Sequence, residues 1–115
     1  MVGAGLIGSL LAATLAKRGF QVDLYERRPD LRKTDISAGK SINLALSDRG
    51  LRGLANVGAD KDMLNISIPM HGRMLHDLEG NTNFMPYGKE GQYINSISRG
   101  GLNGLLLDEA QKHEN

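Results

Sequence analysis

The chain opens on Gly3-Ala4-Gly5-Leu6-Ile7-Gly8, a G-x-G-x-x-G run set directly before a helical pattern. No other feature restricts the fold as much. The first glycine permits a tight turn out of a strand. The second leaves the backbone bare for an incoming group, and the third lets the next helix lie close on a sheet. The helix start then offers free N–H groups and the positive end of its dipole, a combination that binds phosphate. Leu6 to Arg18 is predicted to be that helix. Ile7, Leu10, Leu11 and Leu15 fall on one face, and Ala12, Ala13 and Ala16 are small enough for close packing. Lys17 and Arg18 suit its negative end, and Gly19 terminates it. Gln21 to Tyr25 reads as a strand. Glu26 closes that strand at the ~20-residue interval beyond the glycines where a ribose-binding acid belongs. Together these features predict a dinucleotide-binding unit in which Glu26 accepts hydrogen bonds from the adenosine ribose. A 2′-phosphate would meet like charge at Glu26, which argues against NADP in this site despite Arg27 and Arg28 beside it. The motif alone suits FAD and NAD equally.

Only Met1 and Val2 precede Gly3, whereas a strand usually runs ~5–6 residues, so the first strand is expected to be truncated. At 115 residues the chain is one domain at most, or part of one. Its 40% apolar content suits a packed core, and much of its glycine, 15 residues, sits where turns or a phosphate loop would want it. There is no cysteine, which excludes disulfides, thiolate metal sites and cysteine nucleophiles within these residues. A net charge of +1 with both signs interspersed gives no footprint for nucleic acid. No apolar run reaches the ~18 residues of a membrane span. His71, His76 and His113 lack metal-ligand spacing, so no metal is expected, and the five methionines read as packing.

Past Glu26, Pro29 to Lys40 is polar and reads as a loop, with the charges from Asp30 to Asp35 in solvent. Ser41 to Leu46 is predicted extended. Ser47 or Asp48 caps a helix running to Val57, which Gly58 ends, and Asp60 caps another that closes before Pro69. Arg73 to Leu78 and Thr82 to Met85 form a hairpin around Glu79-Gly80-Asn81, and Tyr93 to Ile97 is a further strand. Leu102 to Lys112 is a helix with Leu102, Leu105, Leu106 and Ala110 on one face and Asp108, Glu109, Lys112 and Glu114 on a solvated one.

The blocks DLYERRPDLRK, GKSINLALSDRGLRGL, IPMHGRMLHDLEGN and PYGKEGQYINSISRGGLNGLLLDEA resemble, in order and spacing, the kynurenine 3-monooxygenase family of aromatic flavoprotein hydroxylases. SINLALS and IPMHGRM are the most diagnostic segments. The resemblance implies an α/β fold: residues 1–115 would be the N-terminal part of a Rossmann-like FAD-binding domain of the aromatic hydroxylase type, within a longer enzyme. It implies non-covalent FAD, NADPH as co-substrate, and O2-dependent hydroxylation of L-kynurenine at ring position three, a step of tryptophan catabolism toward quinolinate and NAD. Gly3, Gly5, Ile7 and Gly8 would hold the diphosphate, Tyr25, Glu26, Arg27 and Arg28 the ribose corner, and Ala45 and Arg99 the flavin side. Arg73 and Tyr87 would bind the kynurenine α-carboxylate, a guanidinium through two parallel hydrogen bonds and a phenol through another. No side chain here need be a nucleophile or general base. A second, Gly-Asp flavin motif would lie beyond residue 115. The expected location is cytoplasmic, or the outer mitochondrial membrane where a C-terminal anchor follows, with no membrane contact from these residues. The isolated 115 residues are expected to be inactive and to bind FAD poorly. Two other readings remain: an NAD-dependent dehydrogenase, which accounts for the glycines and Glu26 but not for SINLALS, Arg73 and Tyr87, and a non-catalytic nucleotide-binding relic.

Overall fold

The computed structural model describes residues 1–34 and 42–113; the loop reading for residues 35–40 and the start of the extended segment at Ser41 lie outside them. The first helix, α1 (Leu6–Lys17), starts directly after Gly5. It closes with a Schellman pair of bonds, Gly19 N–H to Ala16 O at 2.8 Å and Phe20 N–H to Leu15 O at 3.1 Å. The chain is extended on both sides of α1, but the strand predicted over Gln21–Tyr25 is reduced to one parallel bridge between Val2 and Tyr25. Gly3 N–H donates to Tyr25 O at 2.7 Å and Tyr25 N–H to Met1 O at 3.0 Å. The alternation of a strand persists: Val22, Leu24 and Glu26 are partly buried, while Gln21, Asp23 and Tyr25 are exposed.

Beyond the loop come β1 (Asn43–Leu46), α2 (Asp48–Ala55) and α3 (Asp60–Ile66). Ser47 is the N-cap of α2, as one of the two expected. The cap of α3 is Ala59, with Asp60 and Asp62 in the first turn, where their charge suits the dipole. Next are β2 (Ile68–Met70), the hairpin β3 (Gly72–His76) and β4 (Thr82–Pro86), then β5 (Ile94–Ser98) and α4 (Arg99–Gln111). β5 lies at the centre of an antiparallel sheet in the order β1-β5-β2. Strand β2 was not expected, because Pro69 reads as a terminator. It pairs on an edge of the sheet, where a missing N–H is tolerated. Helix α4 begins three residues earlier than expected. Gly100 and Gly101 weaken the helical pattern there, but the Ser98 hydroxyl accepts from Gly101 N–H at 3.2 Å and caps the start.

The core gathers Ala13, Leu46, Leu54, Val57, Ala59, Met63, Ile97, Leu102 and Leu106. The apolar face expected of α4 holds: Leu102 and Leu106 are buried, and Leu105 and Ala110 pack against the core. On α1 the expected face holds only in part: Leu10 packs against the core and Leu15 is partly buried, but Ile7 and Leu11 are not. Ser9, Ala12, Ala13 and Ala16 are its buried residues, whereas Ile7 is 83% exposed and Leu11 46%. Small residues win because α1 lies along α4 and close approach needs short side chains. Glu109 is likewise buried, not solvated, and pairs with Lys112 at 2.6 Å, which raises the Lys112 ammonium. The radius of gyration is 17.1 Å, above the ~13 Å of a closed domain of ~100 residues. The hairpin contributes to this shape: every residue from Arg73 through Tyr93 is exposed.

Candidate functional site

The glycine run folds as its spacing dictates. Gly3 has φ +98°, a left-handed conformation that favours glycine. A side chain on Gly8 would collide with the Gly3 carbonyl, so the third glycine is what allows α1 to start this close to the turn. No atom stands within 4 Å of where a Gly5 side chain would begin, so the mouth of the loop is open. The first amides of α1 have no intrahelical acceptor, since Ser9 N–H is the first to reach back, to Gly5 O at 2.9 Å. Bare backbone, open space and a helix start meet in one place, which is what a diphosphate requires.

The carboxylate of Glu26 reaches this loop. Its Oε2 accepts from Ala4 N–H at 2.9 Å, one residue from Gly5. Its Oε1 accepts from Arg28 N–H at 2.9 Å and from Arg28 Nε at 3.0 Å. These bonds hold the Glu26 carboxyl down at about 2, the Arg28 side chain contributing most, then the backbone N–H of Arg28 and of Ala4. Arg28 is raised in turn by the Glu26 carboxylate. Glu26 is therefore ionised throughout the neutral range and placed against the loop.

Next to this corner the loop is not simply solvated, as its charges suggested. Arg32 binds Asp30 through Nη2–Oδ2 at 2.6 Å and Nε–Oδ1 at 2.9 Å. Its Nη1 reaches Asp108 at 2.7 Å and Gln111 at 2.8 Å on α4. Arg32 holds the Asp30 carboxyl well below the usual carboxylate range and is itself raised, mainly by Asp30 and then by Asp108. Between α1, residues 22–34 and α4 lies a cavity of about 800 Å³, with Ala4 and Glu26 at its wall and Val22, Leu24 and Leu107 among its apolar lining. That volume lies within the usual range for a small-molecule site.

The remaining candidate residues divide. Ile7 and Tyr25 are exposed beside the loop, and Arg27 is exposed one residue past Glu26. Ala45 is an exposed residue of β1 paired with Ser96 of β5. Arg99 opens α4 in the residue after Ser98, itself opposite Asn43 of β1. A cation at a helix N-terminus opposes the dipole, so Arg99 does not serve the helix it starts. Arg73 and Tyr87 share one face of the hairpin: Arg73 is opposite Met85, and Tyr87 N–H bonds to His71 O at 3.0 Å two pairs further on. Arg73 Nη2 rests 3.1 Å from Met85 Sδ, and both Arg73 and Tyr87 are exposed. His71 stacks at a tilt on Tyr93, with ring centroids 5.2 Å apart. Among the described residues no cluster of metal-ligating side chains occurs, and no helix is long and apolar enough to cross a membrane. Asn103 was missed from the sequence. It donates to Ala4 O at 2.9 Å from α4, and its signal was a polar residue at core spacing with Leu106 and Ala110.

A glycine turn at a helix start, with a strand-end carboxylate laid against it, defines a dinucleotide-binding unit. The profile of the NAD(P)-binding Rossmann-like domain matches residues 1–63, and the chain belongs to that family. Its sequence is similar to the kynurenine 3-monooxygenase of Cytophaga hutchinsonii, 51% identical over 111 residues, covering 95% of this chain and 25% of the relative. It is also similar to the kynurenine 3-monooxygenase of Sus scrofa, 49% identical over 115 residues, covering 100% of this chain and 24% of the relative. The resemblance read from SINLALS and IPMHGRM is thus borne out, and the chain spans about a quarter of the length of these curated relatives. Among solved structures, the tetrameric form of 2-methyl-3-hydroxypyridine-5-carboxylic acid oxygenase superposes with a TM-score of 0.76 at 22% identity, covering 98% of this chain and 28% of the other. At that identity the likeness bears on the fold alone, and it agrees with the α/β reading.

Proposed function

We propose that this chain is the ADP-binding part of an FAD-dependent, NADPH-using monooxygenase that hydroxylates L-kynurenine to 3-hydroxykynurenine. The observation that carries the proposal is the Glu26 carboxylate bonded to Ala4 N–H beside the open mouth at Gly5. It puts an acceptor for ribose hydroxyls next to donors for a diphosphate. Relatives named kynurenine 3-monooxygenase at about half identity support the flavin and kynurenine parts of the reading. Residues 1–115 would then be one part of the FAD-binding domain, and a longer polypeptide would supply the second flavin motif.

In this reading the flavin supplies the redox and oxygen chemistry when bound. The chain's own residues bind and orient. Gly3, Gly5, Ile7 and Gly8 form the diphosphate mouth, and Glu26 grips the ribose with Tyr25, Arg27 and Arg28 around it. Ala45 and Arg99 face the flavin side, where a small residue allows close approach and a guanidinium offers a fixed fork of donors. Arg73 and Tyr87, on one hairpin face, hold the kynurenine carboxylate between them. No residue here acts as a nucleophile. The enzyme would work in the cytoplasm, or at the outer mitochondrial membrane where an anchor follows.

The test is purification of the natural polypeptide that carries this chain. A bound flavin absorbance band and kynurenine-dependent oxidation of NADPH are expected. The description of the matching family favours one other reading, an NAD-dependent dehydrogenase. That enzyme would purify without a flavin band, and this outcome would replace the proposal.

A further inference from the structure

We infer that Asn103 is a positioning residue for the phosphate loop: from α4 it aims the Gly5 N–H outward, toward the incoming diphosphate. The inference rests on the reading of Gly3 to Gly8 as a diphosphate cradle. Asn103 Nδ2 donates to Ala4 O at 2.9 Å across a sequence gap of 99 positions. A carbonyl can only accept, so the amide must turn its nitrogen to Ala4 and its oxygen to Ser9, whose Oγ lies 3.3 Å from Asn103 Oδ1. Ser9 Oγ also lies 3.1 Å from Ala4 O. All three residues are buried: Ser9 at 0% exposure, Ala4 and Asn103 at 7%.

The consequence follows from peptide geometry. Ala4 C=O and Gly5 N–H belong to one planar trans unit, so they point in opposite directions. Drawing the carbonyl inward onto Asn103 turns the amide hydrogen out to the open side. The preceding peptide is held as well, because Ala4 N–H is bonded to Glu26. Both planes flanking Ala4 are therefore fixed, one from α4 and one from the strand end. The loop cannot do this for itself, since glycine restricts its own backbone least of all residues. Nor is a buried amide the simplest way to join two helices. It must be desolvated, and it is a weaker helix former than leucine. Here its cost is met in full: no buried side-chain nitrogen or oxygen lacks a partner among the described residues.

The experiment uses the natural polypeptide that carries this chain, titrated calorimetrically with ADP and with FAD, with melting temperature measured in parallel. Asn103→Leu removes the donor and is expected to weaken both ligands about tenfold or more. Leu106→Ala removes a buried apolar side chain from the same helix. It should lower the melting temperature at least as far while leaving affinity within about twofold of wild type. Ser9→Ala, a milder change, is expected to weaken binding about twofold to threefold by freeing the amide. Asn103→Asp should bind weakly at about pH 8 and recover part of the loss at about pH 5, where a protonated carboxyl can again donate to Ala4 O. Should Asn103→Leu fail to fold, Ser9→Ala and Asn103→Asp carry the test. The inference is overturned if Asn103→Leu and Ser9→Ala bind as wild type does, or if Leu106→Ala loses as much affinity as Asn103→Leu. A wild-type protein that binds neither ADP nor FAD overturns the cradle reading and this inference with it.

Discussion

Around the glycine loop, Ala4, Ser9 and Asn103 are buried and bonded to one another, and Glu26 is tied to the loop from the side. From Arg73 through Tyr93 every residue is exposed, and the β3–β4 hairpin is held chiefly by its own register. The same chain thus holds one region by long-range polar contacts and the other by local pairing. A site that must present backbone amides at fixed angles needs outside support, since its glycines supply none. A hairpin that presents side chains needs only the alternation of its two strands. The proposed nucleotide residues therefore stand preorganised within the chain, while the proposed substrate residues share a face of the exposed hairpin.

Substitutions can break or sharpen this contrast. Gly8→Ala should have the largest effect, because the new side chain meets the Gly3 carbonyl and α1 must move away. A stability loss of about 3 kcal/mol in chemical denaturation and a loss of FAD affinity of about 100-fold or more are expected. Arg73→Ala should raise the KM for kynurenine about 100-fold with FAD content near normal, if a charged pair to the carboxylate is lost. An unchanged KM would remove Arg73 from the substrate site. Glu26→Gln should lower FAD retention about tenfold. Its acid profile should also change, and the sign is fixed by the lowered pKa. With the folded carboxyl at about 2 against its ordinary value of 4.5, its stabilisation is complete above about 4.5 and lost as pH falls through about 2. Melting temperatures from pH 5 downward should fall more steeply in wild type than in the variant. Phe84→Ala, in the exposed hairpin, should shift stability by only about 0.5 kcal/mol or less. A loss of several times that would show the hairpin packed on something further, and the contrast would fail.

Much of this was legible because the features were local. The glycine run, the Ser47 cap and the hairpin around Glu79-Gly80-Asn81 each depend on neighbours in sequence, and each stands where its residues suggested. What could not be read depended on the partner. Hydrophobicity ranks Ile7 and Leu11 above Ala12 and Ala16, yet α1 buries the alanines, because its distance to α4 decides and the sequence does not state it. Gln21–Tyr25 has the pattern of a strand but is paired through a single bridge from Val2 to Tyr25 among the described residues. Pro69 ends helices and tolerates sheet edges, and only the sheet shows which applies. Glu109 and Asn103 look like polar helix residues until the contacts to Lys112 and Ala4 are seen. The proposed roles of Ala45, Arg99, Arg73 and Tyr87 came from the family resemblance alone; all four are exposed, Ala45 on β1, Arg73 on β3, Tyr87 just past β4 and Arg99 at the start of α4.

The clamp made by Arg32 carries a consequence for solution behaviour. It binds Asp30 on its own segment and Asp108 with Gln111 on the last helix, at the rim of the cavity and only about three-quarters shielded from water. Contacts of that kind loosen as electrolyte rises, whereas apolar packing at Met63 and Ile97 does not. Raising sodium chloride should therefore free the residues around Asp30 and Arg32 to exchange their amide hydrogens before the interior yields.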